Sequence, residues 1–111
     1  MNDEYAALEP LREDIDRLAG ATLIEFGSPD CGHCRRAQAL IATAMAAHPG
    51  LRHLKIFDGP GRPLGRSFRV KLWPTLVFLR NGEEVSRLVR PVDVADIEAA
   101  LGAIDGAAGP A

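Results

Sequence analysis

Apolar and polar positions along this chain change period several times, and each change marks an element. In "PLREDIDRLA" (10–19), Leu11, Ile15 and Leu18 share one helical face. Pro10 suits a first helical turn and Gly20 a helix end, so a helix is predicted from Pro10 to Ala19. "ATLIEF" (21–26) reads as a buried strand. Ala37, Leu40, Ile41, Ala44 and Met45 return to helical spacing, which predicts a helix from Cys31 to Ala47 that stops before "HPG". "LRHLKIF" (51–57) alternates as a second strand, and "GPGRPLG" (59–65) reads as a loop with room for one helical turn. "TLVFLR", Asn81-Gly82 and "EEVSRLVR" spell a hairpin with a two-residue turn. Asp93 caps a final helix with Val94, Ile97, Leu101 and Ile104 inward, and "DGAAGPA" (105–111) should fray.

The first two strands flank a helix and should pair in parallel through a right-handed crossover, while the hairpin adds antiparallel strands. The expectation is an α/β fold: a central mixed sheet of about four strands with helices on both faces. Neither a repeat nor a linker divides the chain, so residues 1–111 are expected to form a single domain.

Composition narrows the class. Of 111 residues, 47% are hydrophobic and 25% charged, the mix of an ordinary globular domain with a core of its own. The acidic N-terminus "MNDEYAALEPLRED" does not have the form of a signal peptide, and no apolar run approaches the ~20 residues that span a bilayer. A cytoplasmic protein without a membrane role is expected, and two cysteines are too few for a disulfide scaffold of the secreted type. Net charge is −2, yet residues 31–90 carry eleven bases against three acids, between acidic ends. Scattered solvated arginines account for that excess, and a surface for acidic partners is the alternative. The dense basic patch with interleaved aromatics that nucleic acid requires is not there.

The chemistry concentrates in "SPDCGHCRRAQ" (28–38), which holds both cysteines. With Cys31 in the first helical turn, its sulfur meets the positive end of the helix dipole, which favours thiolate. Cys34 lies three residues on and on the same face, close enough to close a disulfide. That arrangement suits thiol–disulfide exchange, with Cys31 attacking and Cys34 resolving. His33, when protonated, would stabilise the thiolate, and the charge of Asp30 would oppose it, whether Asp30 has a redox role or is the helix cap. Glu25 shares a strand face with Leu23 while Ile24 and Phe26 face the other way. Both faces are apolar, so Glu25 is expected to be buried near Cys34, where it could take and return the resolving thiol's proton.

"TLIEFGSPDCGHCRRAQALI" together with "VKLWPTLVFLRNGEEVSRLVR" resembles the thioredoxin family over about residues 10–104. The resemblance implies a thioredoxin fold, Cys31 as nucleophile, Cys34 as resolving thiol and Glu25 as the buried acid. It also implies that Pro74 is cis and lies against the cysteines, leaving the backbone before it free to pair with a substrate strand; Trp73 and Thr75 flank it. Gly-His between the cysteines and glutamate as the acid are similar to protein disulfide isomerase domains. Three positions depart from the family: Asp30 and Gly27 stand where tryptophans are usual, and Arg90, followed by Pro91, stands where glycine is. These belong to the family's substrate-facing surface, which is therefore more polar here, with Trp73 restoring part of it. Arg90 and Lys71 could pair with Asp30 or meet an acidic partner such as glutathione's carboxylates.

The implied activity is reduction of disulfide-containing protein substrates, with thioredoxin reductase or the glutathione system as electron donor, no cofactor, and a monomer. Two rival readings stand beside it: a more oxidising glutathione-linked oxidoreductase, and a binding or chaperone module with little redox turnover. A zinc site from Cys31, Cys34 and one of His33, His48 or His53 is disfavoured, because His33 sits badly between the cysteines and a second CxxC is lacking. His48 and His53 are expected to be ordinary surface or strand residues.

Overall fold

The computed structural model describes residues 4–106. The elements run α1 (Arg12–Asp16), β1 (Ala21–Gly27), α2 (Gly32–Met45), β2 (Arg52–Phe57), α3 (Pro63–Ser67), β3 (Thr75–Arg80), β4 (Glu83–Val89) and α4 (Val94–Ile104). The strands form one sheet in the order β2-β1-β3-β4. Strands β1 and β2 are parallel, with Glu25 opposite Lys55, and the remaining pairs are antiparallel. The expected mixed sheet of four strands is thus present.

Alternation on the inner strands divides the core in two. Leu23, Leu76 and Phe78 pack with Ala37, Ile41 and Ala44 of α2 and Ile97, Leu101 and Ile104 of α4. On the opposite face Ile24, Phe26, Val77 and Leu79 pack with Ile15 of α1 and with Leu64 and Phe68 at α3. Burying a side chain of this size contributes roughly 1.5–3 kcal/mol, so the two layers together fix β1 and β3 rigidly at the centre.

Three expectations are corrected. Helix α1 is half the predicted length: Leu11 is its N-cap and is 60% exposed, and the chain tightens at its end through Leu18 N–H to Ile15 O (3.1 Å). A five-residue helix with one buried residue needs only Ile15 inward, so Leu11 has no inner face to join. Helix α2 begins at Gly32 rather than Cys31 and its last residue is Met45. The helical turn allowed for in this loop, residues 59–65, is α3, which starts at Pro63, where the fixed proline φ suits N1 and Leu64 and Phe68 supply a buried i, i+4 pair. Asp105 closes α4 through its N–H to Leu101 O (2.9 Å), and residues 107–111, expected to fray, lie outside the described residues.

The Asn-Gly turn is where predicted, and it is also clasped. Asn81 donates its N–H to Gly20 O and accepts from Gly20 N at its side chain, each at 2.8 Å. Gly82 holds φ at 80°, and a Cβ there would collide with the carbonyl oxygen of Asp16.

Candidate active site

The N-terminus of α2, the end of β1 and the turns before β3 and after β4 meet at one end of the sheet. Cys31 is the helix N-cap, and its Sγ accepts the N–H of Cys34 at 3.2 Å. The sulfur thus takes the capping role that was one of two alternatives for Asp30. Asp30 precedes the cap and is exposed, and its backbone N–H donates to Ser28 Oγ (3.3 Å). Among the described residues neither Arg90 nor Lys71 closes an ion pair with it.

The two thiols are unequal. Cys31 is partly exposed, while Cys34 is 2% exposed. Burial opposes ionisation of Cys31, yet its pKa lies below the ordinary thiol value. The Cys34 thiol and the backbone N–H groups of Cys34 and His33 point at its sulfur, and Arg90 adds positive charge. Burial, then the hydrogen bond its thiol makes to Cys31, push Cys34 up to about 12, with the charges of Cys31 and Glu25 adding to this. His33 is exposed, and Arg90 first, with Arg36, holds its ring below the usual histidine value. Arg36 also donates to its Nδ1 at 2.9 Å. A neutral ring accepts that bond, so the charge acting on Cys31 comes from Arg90, and His33 contributes its backbone N–H instead.

Glu25 is fully buried on the face expected, and it has company that the sequence did not reveal. Gln38 Nε2 donates to Glu25 Oε2 (2.7 Å) and to the carbonyl of Cys34 (2.9 Å). Lys55 Nζ donates to Gln38 Oε1 at 3.0 Å, and His53 Nε2 lies 3.0 Å from Glu25 Oε1. His53 is therefore a buried partner of the acid rather than an ordinary strand residue, because the parallel register turns its face of β2 onto Glu25. His48 is likewise engaged, with Asp105.

Opposite Cys31, the Trp73–Pro74 peptide is cis, and the carbonyl of Trp73 lies 3.9 Å from Cys31 Sγ. Arg90 donates to that same carbonyl from Nε (2.8 Å) and to Pro74 O from its backbone N–H (2.9 Å). It does so with φ at 51°, in the left-handed region that favours glycine, the residue the resemblance expects there. The indole of Trp73 is anchored to Asp58 (2.8 Å). Thr75 is buried with its hydroxyl on Leu72 O (2.6 Å), so its side chain buttresses the turn from within.

Gly27 has a local reason: a Cβ there would stand 2.6 Å from Cys34 Sγ and 3.3 Å from the Tyr5 hydroxyl. Tyr5 thus covers Cys34 from the N-terminal segment, which runs beside β2 through Ala6 N–H to Lys55 O (2.8 Å). Its ring meets Phe57 edge-on and lies 4.7 Å from Lys55 Nζ. No local signal marks Tyr5 as part of the site. Among the described residues no three His, Cys, Asp or Glu side chains converge to hold a metal ion.

Comparison with known proteins places this arrangement. The family model described as Thioredoxin matches residues 6–103. The structure of thioredoxin 2 from Pseudomonas aeruginosa PAO1 in its reduced form is 54% identical, with a TM-score of 0.82 over 93% of this chain and 95% of that one. A thioredoxin of Chlamydia trachomatis serovar D is 32% identical over 72 residues, 64% of this chain and 70% of its own length. Protein disulfide-isomerase A2 of Pongo abelii is 39% identical over 66 residues, 56% of this chain, and the chain spans 13% of that relative's length. The structural overlay establishes the thioredoxin fold. With a family match that spans Glu25, both cysteines, Pro74 and the whole sheet, this chain belongs to the thioredoxin family.

Proposed function

We propose that the domain is a thiol–disulfide oxidoreductase that reduces disulfides in protein substrates by dithiol exchange at Cys31 and Cys34. The observation that carries this reading is the inequality of the sulfurs: an accessible thiol of lowered pKa at a helix start, with a buried thiol held protonated behind it. The Cys31 thiolate attacks one sulfur of the substrate disulfide, whose S–S bond breaks and whose other sulfur leaves and takes a proton. Cys34 then gives its proton to Glu25, attacks the Cys31 sulfur and releases the second substrate thiol. The substrate gains two electrons and two protons, and the chain is left with a disulfide. An electron donor, thioredoxin reductase or the glutathione system, restores the dithiol.

In this reading Pro74 and the Trp73 backbone align the substrate strand beside Cys31, Thr75 supports them from within, and Arg90 faces the substrate. In this reading the domain works as a cytoplasmic monomer; no described helix is long and apolar enough to cross a membrane. Cys31→Ser should abolish reduction of a protein disulfide, and Cys34→Ser should accumulate a mixed disulfide visible by mass spectrometry. Full activity of Cys31→Ser would overturn the reading.

A second reading, a more oxidising glutathione-linked enzyme, is favoured by one observation. Arg90 stabilises the Cys31 thiolate and therefore the reduced form. Equilibration with a glutathione buffer separates the two: a potential near about −270 mV supports the reductase, and one near about −180 mV the oxidant.

A further inference from the structure

Beside Cys31, the first two turns of α2 and the turn after β4 enclose a groove of about 230 Å³. Arg36 stands on one wall and Arg90 on the other, with Ala37, Leu40, Pro91 and Val92 between them. Among the described residues no carboxylate lines this groove, and neither guanidinium has a carboxylate partner. Arg36 is engaged with the His33 ring and Arg90, through Nε, with the Trp73 carbonyl. Their remaining N–H groups are donors without an anion to receive them. A planar fork of donors is suited to a carboxylate, and two forks across an apolar floor suit a carboxylate carried on methylenes.

Resting on the reductase reading above, we propose that this groove is a carboxylate subsite. It selects polypeptide disulfides that carry an acidic side chain within a few residues of the cysteine attacked by Cys31. Arg90 joins the two events, since it holds the carbonyl 3.9 Å from Cys31 Sγ and also forms a wall of the groove. A substrate sulfur seated at Cys31 therefore brings its sequence neighbours over Arg36 and Arg90. The occupant is a polypeptide rather than a small thiol: the groove lies on the side of Arg90 away from the Trp73 carbonyl it holds, and its apolar lining of Ala37, Leu40, Pro91 and the 88% exposed Val92 offers more surface than one carboxylate covers.

The test uses the full, reduced chain and three peptides with an internal disulfide, identical except for Glu, Gln or Lys beside the reacting cysteine. The second-order rate of peptide reduction is followed at low salt and at about 1 M salt, where screening acts within ~3 Å. The Glu peptide should react about fivefold faster than Gln at low salt, the Lys peptide slowest, and the spread should collapse in salt. Arg36→Gln combined with Arg90→Gln should bring the Glu-to-Gln ratio to about one. Equal rates for all three peptides with the unaltered chain would overturn the subsite while leaving the reductase standing. Persistence of the preference in the double variant would overturn its assignment to these arginines. Reduction of none of the peptides would overturn both readings. A mixed disulfide of the Gln peptide with glutathione that outruns the Glu peptide would overturn the choice of a polypeptide occupant.

Discussion

One amide group of Gln38 donates to both Glu25 and the carbonyl of Cys34, so the buried acid and the resolving cysteine are held to a common post. Proton transfer needs that kind of fixed geometry, because its contribution is lost when the partner drifts out of hydrogen-bond reach. Glu25→Gln keeps the size of the side chain and removes its capacity to take a proton. It should lengthen the lifetime of the Cys31–substrate mixed disulfide roughly 10²-fold while leaving the first attack unchanged, as read by single-turnover quenching. Equal lifetimes would mean that the proton leaves by another route. Cys31, Cys34 and the inward face of Glu25 were legible in the sequence because they follow from spacing and alternation along a single element. The partners of Glu25 were not. "RHLKIF" shows that His53 and Lys55 share a face, but only the register with β1 reveals which acid that face meets. Of the two roles open to Asp30, the cap is closed for a related reason: a helix starting one residue later hands that place to the neighbouring sulfur.

Among the elements, the long ones were predicted most faithfully. Helices α2 and α4 and the hairpin carry enough periodic positions to announce themselves, whereas α1 and α3, of five residues each, depend on packing for their stability. The N-terminal segment ahead of α1 makes this point most clearly. It has no periodicity, yet Tyr5 stands over Cys34 and Ala6 is hydrogen-bonded to the carbonyl of Lys55. Because burial is the largest cause of the raised Cys34 pKa, uncovering that sulfur should lower it. Tyr5→Ala should therefore increase alkylation of Cys34 at mildly alkaline pH and cost about 1–2 kcal/mol of stability, read by thiol mapping and denaturant midpoint. Unchanged alkylation would show that α2 and β1 seal the thiol without the segment.

At the scale of the whole molecule, the reduced form stores a pH dependence. Cys34 is raised from 9.0 to about 12, so the stability it contributes is full below about pH 9 and is lost as pH rises toward 12. The raised pKa of Tyr5 acts in the same direction. The loss attributable to Cys34 should be on the order of a few kcal/mol. Denaturant midpoints of the reduced chain should fall across that window and those of Cys34→Ala should fall less; identical slopes would remove Cys34 from the account. A different consequence follows from the clasp between the Asn81–Gly82 turn and the Gly20 loop. Hairpin tips are ordinarily where a chain tolerates inserted sequence, but here the tip is tied to Gly20 and packed against Asp16. Residues 49 and 50 are exposed between α2 and β2, and a Cβ on Gly50 would meet nothing within 4 Å. An epitope tag spliced between Pro49 and Gly50 should leave the domain soluble and folded by circular dichroism, whereas the same tag between Asn81 and Gly82 should lower its melting temperature by several degrees.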